Sequence, residues 1–174
     1  MLKNRQIKKL AIAAMLMAMS VVIGIICKNL FTFSLYYRVT FENLPVLLAA
    51  CLFGPWYGAA VGVGADLISC VCSSNPSVNP IISAGAFAVG LCAGIVARYI
   101  IKERNSLQVA AAVATGHFIG QVGIKSIGKI VYFSMPYEGI LIGLGVSVVA
   151  GTLEFFVISR IYKDERLMSF LGEE

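Results

Sequence analysis

The chain has 174 residues, of which 59% are hydrophobic and 13% charged, and its mean hydropathy is +0.86. A soluble domain of this length cannot bury so much apolar surface, so the chain must be solvated by lipid. Soluble enzymes and nucleic-acid-binding modules are thereby excluded, and the formal charge of +5 is informative through its placement and not its sum.

Six apolar stretches, at 10–27, 44–53, 58–72, 81–101, 107–133 and 139–161, consume nearly the whole sequence. The expected fold is an all-α membrane protein, a compact bundle of six transmembrane helices in which residues 1–174 form a single transmembrane domain. The basic start followed by an apolar run could be read as a signal peptide, but no small-residue cleavage site precedes Lys28, so it is retained as the first helix. A helix perpendicular to the bilayer needs roughly 20 residues to cross the hydrocarbon. The second and third stretches must therefore be short, tilted or partly interfacial. Between them, Phe53, Gly54 and Pro55 predict a sharp turn, because proline cannot continue a hydrogen-bonded helix and glycine tolerates the reversal.

Lysine and arginine accumulate on cytoplasmic loops. With both termini cytoplasmic, the inner segments hold Lys3, Arg5, Lys8, Lys9, Arg98, Lys102, Arg104, Arg160, Lys163 and Arg166, ten of the 14 basic residues. Lys28, Arg38, Lys125 and Lys129 fall on the outer side.

The outer connections, 28–40 and 73–80, are candidate ligand covers. The first carries Phe33, Tyr36, Tyr37 and Arg38, a mixture suited equally to an interfacial aromatic belt. The second is rich in Ser, Asn and Pro, and its Asn75 and Asn79 can offer hydrogen bonds.

Small residues recur four apart at Ala14/Ala18, Gly58/Gly62, Gly90/Gly94, Gly116/Gly120 and Gly139/Gly143. Such pairs let helix backbones approach closely in lipid. Most are expected to pack the bundle internally. Ala14 and Ala18, flanked by Met15, Met17 and Met19, present a flat face that suits either internal packing or a second membrane protein.

An ionisable group inside a membrane costs about 2.5–3.5 kcal/mol on the gentlest scale and so marks function by default. Asp66 and Glu154 fall within the third and sixth stretches, while His117, Gln121, Lys125 and Lys129 follow at steps of four along the fifth. Residues so spaced share one slowly drifting face. That stripe suggests a cavity for an anionic ligand; alternatively, Asp66 or Glu154 pairs with Lys125 or His117 to hold the bundle together.

Catalysis is not expected. His117 with Ser69, Ser83 or Ser147 lacks the local pattern of a hydrolase, Gly62-Val-Gly64 lacks the strand and third glycine of a dinucleotide site, and no phosphate-binding GxxxxGK[ST] occurs. Cys70 and Cys72 lack the further ligands of a metal site, and no cofactor is implied. An active importer built on this chain must draw energy from another subunit or an ion gradient.

Taken together, several segments resemble the substrate-specific S components of energy-coupling factor (ECF) transporters, most nearly the folate branch. They are the basic start with Ala14-x-x-x-Ala18, the run Arg38-Val-Thr-Phe-Glu-Asn43-Leu-Pro45, the Phe53-Gly-Pro55 turn followed by Gly58 and Gly62 through Asp66, and Lys125-Ser-Ile-Gly128. The resemblance implies a vitamin bound near the outer face, a transmembrane coupling protein docked on Ala14 and Ala18, two cytoplasmic ATPases, and delivery by toppling of the subunit in a bacterial cell membrane. Folate is chemically compatible. A pteridine can stack on Phe33 or Tyr36 and donate N–H bonds to Asp66, while the glutamate tail suits Arg38 or Lys125. The expected substrate-binding set is Phe33, Tyr36, Arg38, Asn43, Asp66, Asn79, His117, Gln121 and Lys125. The 73–80 segment departs from the Gly- and Tyr-rich character of folate relatives, which leaves riboflavin, thiamine or pantothenate as alternative cargo. A small ion-coupled carrier dependent on Asp66 or Glu154, and a purely structural assembly partner, remain the alternatives outside this family.

Overall fold

Alternating apolar stretches and short polar connections fold into antiparallel rods. The computed structural model describes residues 2–30, 41–72 and 79–164, which form six helices and no strand. They are α1 (Leu2–Leu30), α2 (Asn43–Phe53), α3 (Pro55–Val71), α4 (Pro80–Ile100), α5 (Ser106–Phe133) and α6 (Gly139–Lys163). The segments 31–40, 73–78 and 165–174, and with them Phe33, Tyr36 and Arg38, lie outside the described residues.

Four helices carry stretches long and apolar enough to cross a membrane: Gln6–Lys28, Pro80–Ile100, Ser106–Phe133 and Gly139–Lys163. The 11-residue α2 is instead a core helix. It spans roughly 16 Å, about half the hydrocarbon thickness. Leu47, Ala49 and Ala50 are fully buried, because α1, α3, α4 and α5 all pack around it. α6 is the least buried of the four candidate spans and leans mainly on α5.

Local chemistry sets the helix ends. Gly54 turns the chain at φ 96°, and Pro55 starts α3 where its missing N–H has no helical partner to lose. The Asn79 carboxamide oxygen accepts from the backbone N–H of Ile81 and Ile82 to cap α4, and Asn105 caps α5 through the N–H of Gln108. Beside the Gly54 turn, Arg98 donates to the Phe53 carbonyl at 3.3 Å. Gln108 bridges the carbonyls of Ala97 and Ile101 at 2.6 and 2.9 Å, satisfying groups freed where α4 ends in a wide, five-residue hydrogen-bonded turn.

The small-residue pairs explain the tightest crossing. A Cβ on Gly58 would stand 2.8 Å from the Gly90 carbonyl oxygen, and one on Gly94 would strike the backbone of Pro55. α4 and α5 meet in the same way at Gly85 and Gly120. Gly143 differs from this pattern: nothing lies within 4 Å of the position its Cβ would take.

Candidate functional site

Away from the Gly54 turn, α1, α2, α3, α4 and α5 converge on a small polar cavity of about 20 Å³. Ser20, Glu42, Asn43, Asp66, Ser69 and Lys125 line it over a floor of Val46, Gly62, Ala65 and Ala86. The volume accommodates about one water, so any larger ligand must part these side chains.

The polar groups bind one another across helices. Lys125, 5% exposed, holds its ammonium 3.5 Å from the Glu42 carboxylate. Gly85 makes room for the lysine stem, since a Cβ there would lie 2.5 Å from Lys125 Cγ; Gly24 likewise leaves space beside Glu42. The Asp66 carboxylate accepts from Ser83 Oγ at 2.6 Å. Ser20 Oγ donates to the Glu42 carbonyl at 2.5 Å, Lys28 Nζ to the Ser69 carbonyl at 3.4 Å, and Asn43 Nδ2 to Gln121 Oε1 at 3.5 Å. The result is a largely buried array of two carboxylates, two ammonium groups and several hydroxyls, able to exchange internal bonds for those of a ligand with both N–H donors and an anionic group.

The α5 stripe faces inward as expected, helped by a local change of helix. From Gly116 to Ile124 the backbone takes wide turns bonded five residues apart. Four residues overshoot an α-helical turn by about 40° but fall short of a wide turn. His117, Gln121 and Lys125 span this wide-turned stretch, where four residues come close to one turn and so stay on one side of the helix.

Of the expected site residues, Asn43, Asp66 and Lys125 line the cavity, and Gln121 joins it through Asn43. Asn79 caps α4, leaving its buried Nδ2 without a hydrogen-bond partner. His117 is bonded to Glu154 at 2.6 Å, Nε2 to Oε2, and is not among the cavity-lining residues. Of the pairings considered from sequence, only His117 with Glu154 forms. Lys125 takes Glu42 as its ion-pair partner, while Asp66 bonds Ser83. Glu42, Ser20, Ser69 and Ser83 were not singled out as binding groups; the signal for Glu42 was an acid ahead of an apolar run. Ala14 and Ala18 are exposed on the outer face of α1 beside Met15 and Met19, whereas Ala13 and Leu16 point into the core.

A second, apolar groove of about 610 Å³ opens between α5 and α6, walled by residues such as Val113, Phe118, Val148 and Phe155. The hydroxyls of Thr115 and Thr152 on its walls are occupied by carbonyls of their own helices. The groove is therefore mainly apolar, its remaining polar lining groups being His117 and Ser147.

A charged cavity among helices apolar enough to cross a membrane suits a membrane-embedded binding or transport subunit. The profile of the family described as "ECF transporter, substrate-specific component" matches residues 8–164, and the chain belongs to that family. Its members are substrate-binding transport subunits that work with the ECF module and are not enzymes. The fold is similar to a crystal structure of the S-component for biotin from an ECF-type ABC transporter. The TM-score is 0.69 at 15% sequence identity, over 94% of this chain and 95% of the other. No curated protein matches the sequence.

Proposed function

We propose that this subunit captures folate or a related pterin on the extracellular side of a bacterial plasma membrane and delivers it with an ATP-driven coupling module. In this reading the six helices form one transmembrane domain with both termini cytoplasmic. The end bearing Arg98, Lys102, Arg104, Arg160 and Lys163 faces inward, and the polar cavity faces outward. The observation that carries the reading is the pair between the buried Lys125 and the partly buried Glu42, sharing its cavity with Asp66. An anionic vitamin tail replaces Glu42 as the partner of Lys125, and ring N–H donors replace Ser83 on Asp66. Asn43 and Gln121 complete the contacts, and Phe33, Tyr36, Arg38 and Asn79 supply the cover. A coupling membrane protein with two ATPases docks on the α1 face at Ala14 and Ala18, which is exposed and flat.

A second reading keeps the mechanism and changes the cargo. No aromatic side chain is among the described cavity-lining residues, and the same acceptors and ammonium suit any vitamin with polar ring edges and an anionic group, biotin included.

Calorimetric titration of the detergent-purified subunit with folate, biotin, riboflavin, thiamine and pantothenate, without ATP or partners, tests both readings. Trp56 is an insensitive reporter, because it is exposed beside the Gly54 turn, at the other end of the bundle. Tight one-to-one binding of folate is the expected result; tight binding of another member of the panel replaces the cargo, and silence across the panel removes vitamin capture.

A further inference from the structure

Three polar residues of α5 reach three different places. Lys125 pairs with Glu42 just ahead of α2, Gln121 bonds Asn43 at the start of α2, and His117 bonds Glu154 on α6. The first two belong to the cavity or touch it, whereas neither His117 nor Glu154 lines it. Glu154 is nevertheless fully buried, at 0% exposure, and its bond to His117 measures 2.6 Å.

Helix association is a weak reason for such a pair, since hydrogen bonds across membrane helices contribute only modestly to it. Replacing buried ion pairs by apolar side chains of similar volume is often neutral or stabilising, and the best-attested benefit of keeping them is a fixed register. Register is what this part of α5 lacks intrinsically. Gly116, Gly120 and Gly123 fall in its wide-turned stretch, and glycine backbones have few steric preferences. A change from wide to α-helical turns would rotate Gln121 and Lys125 relative to the rest of the helix. The His117–Glu154 bond anchors the beginning of that stretch and the cavity contacts anchor its end. α6 packs against the imidazole at Gly151, where a Cβ would stand 3.4 Å from His117 Cδ2, at van der Waals contact.

We propose that His117 and Glu154 are positioning residues for the ligand cavity: by tying α5 to α6 they fix the rotation of residues 116–124 and so present Gln121 and Lys125 to Asn43 and Glu42. The proposal rests on the vitamin-capture reading and deepens it. His117 acts through the α5 backbone and does not touch the ligand. A binding site is accurate only when the residues behind it lock its side chains.

The test compares the unmodified subunit with His117→Leu/Glu154→Leu, which retains apolar packing, with Glu154→Gln, which retains a hydrogen-bonding partner, and with the milder His117→Asn, whose side chain is too short to reach Glu154. Folate affinity, Tm in detergent and backbone hydrogen exchange are measured for each. The double variant is expected to lose roughly tenfold in folate affinity and to exchange faster at 116–125, with Tm and exchange in α2 and α3 unchanged. Glu154→Gln is expected to stay close to the unmodified subunit, and His117→Asn to shift in the same direction as the double variant should the latter fail to fold. Unchanged affinity and exchange in the leucine pair would overturn the proposal, as would a fall in Tm that accounts for the whole loss. If the unmodified subunit ignores folate, the cargo reading falls, and the exchange data alone decide whether the pair holds the segment.

Discussion

Lys125 reaches Glu42 across a gap that only glycine leaves open: its stem passes over Gly85 of α4, and its ammonium stops 3.5 Å from the carboxylate. An ion pair enclosed this way is neutral at rest and exchangeable, because an incoming anion offers the ammonium an equivalent partner. Lys125→Met is therefore expected to weaken vitamin binding by about 1.5–3 kcal/mol, and Lys125→Arg to recover part of the loss. Calorimetry on the three proteins decides it; equal affinities would remove Lys125 from the site.

Gly85→Ala tests the same arrangement from below. The added methyl would lie 2.5 Å from Lys125 Cγ and 3.0 Å from the Gly120 carbonyl oxygen. Displacement of the lysine should lower affinity, and overpacking should cost about 1–3 kcal/mol of stability. A variant with unchanged affinity and Tm would show that the lysine stem does not need this gap.

At the α3–α4 crossing the constraint is backbone against backbone. A Cβ on Gly58 would fall 2.8 Å from the Gly90 carbonyl oxygen, which has no flexible end to move aside. Gly58→Val should force the helices apart and lower Tm more than Gly143→Val, whose Cβ meets nothing within 4 Å. Thermal unfolding of the two in the same detergent compares them directly.

Ala14 lies on the exposed face of α1. Ala14→Trp is expected to leave vitamin affinity and Tm unchanged while abolishing uptake in cells that contain the coupling module, because the indole blocks close helix approach. Normal uptake by this variant would move the docking surface elsewhere.

Asn79 fixes the start of α4 through two backbone N–H groups. Asn79→Ala should cost about 1 kcal/mol of stability, and Asn79→Asp, which keeps the accepting oxygen, much less. If both variants also lose vitamin affinity to the same extent, the carboxamide itself contacts the ligand.

The sequence by itself determined what depends on composition and local geometry. Its apolar content required lipid, its six apolar stretches became six helices, and Gly54-Pro55 placed the turn because no other pair of neighbouring residues combines left-handed freedom with a helix start so directly. The four-residue spacing of His117, Gln121 and Lys125 also predicted their common face, since helical periodicity is a property of the chain alone. Partner choice was a different matter. Asn43 meets Gln121 across 78 residues and His117 meets Glu154 across 37; both depend on how far each helix rotates and how closely it approaches its neighbour. Tertiary packing alone decided that Lys125 would face Glu42 and that α2 would be a buried core helix. Periodicity fixes which residues share a side of a helix, but the direction in which that side points is set by the sum of many weak contacts from other helices.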